Sequence, residues 1–222
     1  MDRRTKHVGH HLGYIEGVHS VLDFGERVTA ALLLIVASPL LLIIATAVRV
    51  RLGAPVTFDQ VRIGYREQAF VMHKFRTMTD ARDSEGRLLS AEQRITPFGR
   101  WLRKTSLDEL PELWNVLRGE MSFVGPRPLL PDYLPHYTDE QRQRHNVKPG
   151  ITGLAQIEGR SLLRWEEKLA KDVWYVQNKS ILLDANILFR TARAVITRKG
   201  TESAGTASRP PGMRPPEGGF GE

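Results

Sequence analysis

The stretch "LLLIVASPLLLIIATAV", Leu32 to Val48, contains no charged side chain, and the apolar run around it extends from Val28 to Val48. A run of about 20 residues matches the ~30 Å hydrocarbon thickness of a bilayer. Few alternatives fit it. A buried core helix this apolar needs a larger domain around it than this chain offers. "ATA" at Ala45 to Ala47 resembles a signal-peptide cleavage site, but the preceding leader is long for such a peptide and carries Asp23 and Glu26. A membrane segment remains.

Pro39 sits near the middle of this segment, directly after Ser38. Proline has no backbone N–H and clashes with the preceding helical turn. The Ser38 hydroxyl can bond a carbonyl that the proline leaves unpaired. Arg3, Arg4, Lys6 and Arg27 precede the run, and Arg49, Arg51, Arg62 and Arg66 follow it. A Lys/Arg imbalance normally orients a span. Here the flanks balance, so a span would carry a basic end across the membrane, whereas a re-entrant hairpin bent at Pro39 keeps both on one side. Prolines also occur in spanning helices, so these residues leave a hairpin and a kinked span both open.

The remaining composition is that of a globular protein. Charged residues make up 26% of the 222, hydrophobic ones 41%, and the mean hydropathy of −0.30 excludes a multi-span membrane protein. The net charge of +7 calls for anionic partners: nucleic acid, acidic headgroups or phosphorylated substrates. The absence of cysteine excludes disulfides and zinc–thiolate sites. The chain divides into a polar leader (1–27), the membrane helix (28–48), a mixed globular region (49–198) and a Gly/Pro-rich tail (199–222) with almost no core-forming residue, which reads as disordered.

In "LGAPVTFDQVRIGYREQAFVMHKFRTM", Val56 to Arg62 alternates as a strand does, Gly64 punctuates, and Ala69 to Met78 reads as a second strand, together a β-hairpin. On an extended chain Lys74 and Arg76 share a face. Two neighbouring cations without an adjacent acid form an anion site; the alternative is a solvated strand face.

"RITPFGRWLRKTSLDELPELWNVLRGEMSFVGPRP" carries the chemistry. Ser106 followed three residues later by Glu109 could be a capping box. Pro111 argues against that, because it fits better in the first turn of a helix through Trp114, Val116 and Leu117. The adjacent carboxylates Asp108 and Glu109 then lie just ahead of a helix N-terminus, amid Arg100, Arg103, Lys104, Arg118 and Arg127. Such a pair repels unless a cation joins it, and oxygen-only ligands suit Mg²⁺. Arg127, held between two prolines, is pre-organised for bidentate phosphate binding. In "VKPGITGLAQIEGR", Gly150, Gly153 and Gly159 allow close backbone approach to a ligand. Trp165, Leu169, Asp172, Val173 and Val176 have helical spacing, more often a core stripe than a ligand site. "ILLDANILFRTARAVITRK" reads as a basic amphipathic helix on a membrane surface.

Taken with "ASPLLL", "PVTFDQVRIG", "KFRTM" and "WEEKLAKDVWYVQNKSILLDANIL", these stretches closely resemble the bacterial sugar transferases, the monotopic phosphoglycosyl transferases that begin glycoconjugate and exopolysaccharide assembly. The resemblance covers about Phe24 to Arg198. It implies an α+β protein: a re-entrant membrane helix hairpin plus a compact, mainly helical cytoplasmic catalytic domain with a small β-hairpin or sheet and surface amphipathic helices. It implies transfer of a phosphosugar from a UDP-sugar to a polyprenyl phosphate, usually undecaprenyl phosphate, with release of UMP. It further implies Mg²⁺ on Asp108 and Glu109, a covalent phosphosugar on Asp108, and a bend at Ser38-Pro39. Phosphate and nucleotide-sugar binding is expected from Lys74, Arg76, Arg103, Arg127 and Arg160, with Asp172 and Tyr175 nearby. Ser161 stands where family members often have Asn, which leaves the sugar open. The implied location is the cytoplasmic face of the bacterial inner membrane, among anionic lipids. Nucleic acid is not an expected partner, and a homodimer is compatible with the sequence. The rival readings are a membrane-tethered nucleic-acid binder and a non-enzymatic scaffold.

Overall fold

The apolar run lies inside one long helix, α1 (Arg3–Leu52), in the computed structural model, which describes residues 3–159 and 163–197. Arg160, Ser161 and the tail 199–222 lie outside the described residues. The expected divisions after residues 27 and 48 are not breaks in the backbone, since α1 runs through both. Within it, Val21–Leu52 includes a window of mean hydropathy 2.7, of which only 11% is buried against the rest of the protein. Val28, Leu32, Ile35, Val36, Leu42 and Ile43 are exposed. Such a stripe is stable in water only if something apolar covers it.

Helical conformation passes through Pro39 without a non-helical turn. Within the described part of α1, then, no loop separates the stretches on either side of Pro39. The Ser38 hydroxyl donates to the Ile35 carbonyl at 2.7 Å, the carbonyl that an N–H at position 39 would otherwise serve. The expected serine rescue is present.

Strands β1 (Thr57–Ile63) and β2 (Ala69–Phe75) form the expected antiparallel hairpin, in register from Thr57 opposite Phe75 to Ile63 opposite Ala69. Short helices α2 (Ala91–Arg94) and α3 (Pro97–Lys104) follow, each with a side-chain N-cap, from Ser90 and Thr96. Helix α4 (Glu112–Arg118) ends at Gly119, whose φ of 79° is the left-handed conformation that glycine adopts without penalty. Strand β3 (Ser122–Val124) pairs in parallel with β4 (Gly150–Thr152), and α5 (Asp139–Arg142) lies between them in sequence. Helices α6 (Leu154–Glu158), α7 (Trp165–Asn178) and α8 (Ile181–Thr197) complete the described chain. The result is the helix-rich, mixed architecture expected, with small sheets and one long apolar N-terminal helix.

α1 packs on this domain at two places. Ala30 joins Met72, Val116 and Met121. Further along, Ile44 and Val48 join Phe75 and Leu102. Polar contacts reinforce the first: Lys148 pairs with Asp23 at 2.6 Å, and Arg27 donates to the Leu117 carbonyl at 2.8 Å. At the other end, Arg51 lies over the Phe98 ring at 4.8 Å.

The stripe on α7 is core, as its spacing suggested: Trp165 and Leu169 pack with Leu130, Tyr133 and Tyr137. Two of the three glycines singled out in the sequence, Gly150 and Gly153, meet the backbone of Gly125. A Cβ on Gly150 would sit 2.1 Å from the Gly125 nitrogen, and one on Gly153 would sit 2.2 Å from the Gly125 oxygen. The close approach they permit is to the protein's own backbone where β3 meets β4.

Candidate active site

Asp108 and Glu109 lie in a single 3₁₀ turn, Leu107–Glu109. Ser106 precedes it with φ 55°, and its side chain makes no cap hydrogen bond, so the capping-box alternative does not occur. Pro111 occupies the N-cap position of α4, where its missing N–H costs nothing. The carboxylate pair therefore sits immediately ahead of that helix, as the sequence implied.

Asn115 fixes α4 to the hairpin. Its side-chain amide donates to the Val71 carbonyl at 2.6 Å and to Glu120 at 2.8 Å, and its oxygen accepts from the His73 N–H at 3.2 Å. Fully buried and fully bonded, it brings the end of β2 against the first turn of α4. Lys74, one residue past His73, consequently reaches the carboxylates. Its Nζ donates to Glu109 Oε1 at 2.7 Å and lies 3.0 Å from Glu112 Oε1. Arg127 Nη2 donates to the same Glu109 oxygen at 2.7 Å.

These contacts sort the carboxyl groups. Burial disfavours the Glu109 anion, but Lys74 and Arg127 outweigh it and hold the group well below the usual carboxylate range. Asp108 is raised, first by burial and then by the Glu109 charge, against the pull of Lys74, Arg103 and Arg127. Among the described residues no hydrogen bond is made to the Asp108 carboxylate. Burial pushes Glu112 up to about 7 despite Lys74. Arg103 donates to Thr77 Oγ1 at 3.0 Å, and desolvation lowers its pKa.

Lys74, Arg103, Asp108, Glu109 and Arg127 line a cavity of about 1410 Å³. Leu33, Val36 and Ala37 of α1, with Ala155 and Val195, line other parts of its wall. Val36 is 79% exposed on α1. The same cavity is thus bordered by the charged cluster and by the apolar helix.

The other expected site residues are placed differently. Arg76 also borders the cavity, but its guanidinium is committed: it donates to the carbonyls of Leu52, Ala54 and Met78 and pairs with Asp80. Asp172 accepts two hydrogen bonds from Arg144, at 2.8 and 3.1 Å, and Arg144 in turn donates to the Arg127 carbonyl at 2.7 Å. Asp172 lines the same cavity and, through Arg144, also supports Arg127. Tyr175 is buried and donates to Asp184 at 2.6 Å, with Val124 O at 3.2 Å. Sequence reading missed Glu112, Asn115 and Arg144. Only Glu112 had a visible signal, its helical spacing from Asp108 and Glu109.

Divalent-metal binding is compatible with the donors present. No group of three or more His, Asp or Glu side chains able to hold a metal ion occurs among the described residues. Mg²⁺, however, is commonly held by one or two carboxylates plus water and substrate phosphates. Asp108, without a hydrogen bond, and Glu109, with one oxygen engaged, fit that pattern.

A model of the family described as bacterial sugar transferase matches residues 18–198. The chain is 53% identical over 175 residues to a Bacillus subtilis protein named uncharacterized sugar transferase EpsL, covering 78% of this chain and 87% of that one. It is 40% identical over 192 residues to the undecaprenyl-phosphate galactose phosphotransferase of Salmonella typhimurium, covering 79% and 40%. It is 42% identical over 189 residues to the UDP-glucose:undecaprenyl-phosphate glucose-1-phosphate transferase of Klebsiella pneumoniae, covering 80% and 40%. The alignment thus spans most of the first relative and less than half the length of the other two.

Proposed function

The chain belongs to the bacterial sugar transferase family and is a sugar-phosphate transferase; from that premise we propose that it moves a phosphosugar from a UDP-sugar to undecaprenyl phosphate by way of Asp108. The observation that carries this reading is the cavity, lined both by a carboxylate free of hydrogen bonds, Asp108, and by apolar side chains of α1. A water-soluble diphosphate and a lipid phosphate need those two surroundings.

In the first half-reaction an Asp108 oxygen attacks the sugar-bearing phosphorus. The bond from that phosphorus to the bridging oxygen breaks, and UMP leaves with the electron pair. In the second, an oxygen of the lipid phosphate attacks the same phosphorus, and the acyl-phosphate bond breaks to return the Asp108 carboxylate. Neither nucleophile must lose a proton, so a histidine base is unnecessary. The requirements are charge neutralisation and in-line placement. Arg127 and Lys74 hold Glu109, while Arg103 faces the developing charge. Mg²⁺, when held by Asp108 and Glu109, supplies further neutralisation of the diphosphate. A carboxylate nucleophile divides one hard transfer into two easier ones.

The same reading holds the protein to one leaflet, on the cytoplasmic face of the inner membrane. Support comes from contacts on both sides of Pro39. Arg27 and Arg51 are tied to one polar domain, yet a straight helix would separate them by roughly 36 Å, more than the ~30 Å hydrocarbon. A straight span would lay that domain alongside it in lipid, whereas a bend at Pro39 lets both flanks stay at one surface. On α8, Leu182, Phe189 and Ile196 are exposed beside Arg190 and Arg193, which suits contact with anionic lipid.

The test is to incubate the enzyme with a panel of UDP-sugars and Mg²⁺ without lipid acceptor. One UMP per enzyme and a phosphosugar adduct on the Asp108 peptide, cleaved by hydroxylamine and absent in Asp108→Asn, is the expected result. UMP release that depends strictly on added lipid phosphate, with no trappable adduct, would replace the covalent route by direct displacement.

A further inference from the structure

We propose that Glu112 is a positioning residue for the transfer: it seats the Lys74 ammonium beside Glu109 and keeps it off Asp108. The inference rests on the reading of Asp108 as nucleophile.

Glu112 opens α4 and is 1% exposed. Among the described residues neither of its buried carboxylate oxygens makes a hydrogen bond of good geometry. With neither oxygen bonded, it caps no backbone N–H at that helix start. The charged group in ion-pair range is Lys74, 3.0 Å away. A buried carboxylate left this poorly bonded opposes folding, so a packing role alone gives no reason for a charge at this position.

Lysine has three N–H donors and no acceptor. Glu109 at 2.7 Å takes one N–H, Glu112 at 3.0 Å holds the nitrogen by charge, and N–H donors remain for a phosphate oxygen. Asp108 adjoins Glu109 in the same 3₁₀ turn and lines the same cavity as Lys74. Without Glu112, Lys74 has one seat left, and the next carboxylate is the nucleophile. An ion-paired Asp108 attacks more slowly, while donor affinity is largely kept because the ammonium stays in the cavity.

The experiment is a double-mutant cycle on the first half-reaction, using enzyme in excess over radiolabelled UDP-sugar, so that slow variants remain measurable. Glu112→Gln is expected to slow adduct formation by about tenfold to a hundredfold, the scale of a small misplacement, with the donor KM nearly unchanged and the thermal midpoint retained. In a Lys74→Met background the same substitution should cause no further loss. Equal fold losses in both backgrounds, or a full rate in Glu112→Gln, overturn the proposal. If Glu112→Gln does not fold, Glu112→Asp carries the cycle: it keeps the charge but shortens the reach, and the same two outcomes decide. A wild-type enzyme that forms no adduct with any UDP-sugar removes the nucleophile and this role together. A wild-type burst with an additive cycle removes the Glu112 role alone.

Discussion

Ser38 donates its hydroxyl to the carbonyl of Ile35 at 2.7 Å, and Ile35 is the residue whose carbonyl Pro39 leaves without a helical partner. In lipid an unpaired carbonyl has no water to turn to. The serine therefore lets a proline stand in the middle of the most apolar helix. Replacing Pro39 with Leu restores the N–H and, on the proposed one-leaflet topology, removes the bend, moving the leader to the periplasmic side. The chain has no cysteine, so one introduced into the leader is the sole label site. Impermeant maleimide applied to intact cells should label that position in the Pro39→Leu background and not with Pro39 intact. Strong labelling with Pro39 intact would sink the one-leaflet topology.

Asp172 gives a second prediction. Its partner Arg144 is buried, bonds it twice and also donates to the Arg127 carbonyl. Removing one member of a buried pair strands the other charge, at a cost of about 3–5 kcal/mol. Asp172→Asn should therefore lower the thermal midpoint sharply in detergent or nanodiscs. It should also raise the donor KM, because Arg127 loses its support. A variant with weakened activity and an unchanged midpoint would return Asp172 to direct ligand binding.

His145 sets a pH dependence of stability. Its Nδ1 lies 3.2 Å from the Gly64 carbonyl oxygen, and its buried Nε2 has no hydrogen bond. Burial, aided by the Arg144 charge, lowers its pKa from 6.5 to about 4. The unfolded chain binds a proton near 6.5 that the folded protein refuses until about 4. The contribution is thus complete above about pH 6.5 and is lost progressively as pH falls towards 4, on the order of 2 kcal/mol by pH 5. Thermal midpoints of wild type and His145→Gln at pH 7.5 and pH 5 check this: the wild type should lose more on acidification. Parallel losses in the two proteins count against it.

Local patterns announced much of this structure. The hairpin, the α7 stripe, the helix after Pro111 and the Ser38 rescue each depend on residues within a turn or two, so period and punctuation were enough. Asp108 and Glu109 were legible for the same reason. What sequence could not supply were encounters across the chain. The Arg144–Asp172 pair joins positions far apart, and Asn115 bonds Val71 and His73 on the hairpin. The glycines of "KPGITG" suggested a ligand cradle because small residues signal close approach without saying to what. The answer, Gly125, lies on another strand end.

The contrast between Lys74 and Arg76 is the sharpest case, because a two-residue repeat made them equivalent. β2 ends at Phe75, so the repeat ends between them. Lys74 turns to Glu109, whereas Arg76 turns to the carbonyls of Leu52 and Ala54 and ties the end of α1 to the domain. Their substitutions should therefore fail in different ways. Lys74→Met removes the cation from a site built for ligands and leaves the buried Glu112 to take up a proton, so activity should fall at least a hundredfold, a loss of roughly 3 kcal/mol in transition-state stabilisation, while the midpoint falls less than in Arg76→Met. Arg76→Met strands three carbonyls and frees the exposed Asp80. Hydrogen bonds from a charged donor contribute about 1.5–3 kcal/mol each, so the midpoint should drop by several degrees, while enzyme that remains folded keeps most of its adduct-forming rate. Measuring midpoint and single-turnover rate on both variants separates the roles. If Arg76→Met keeps its midpoint and loses the transfer, Arg76 meets the phosphate after all, and the shared strand face describes the site better than the folded contacts do.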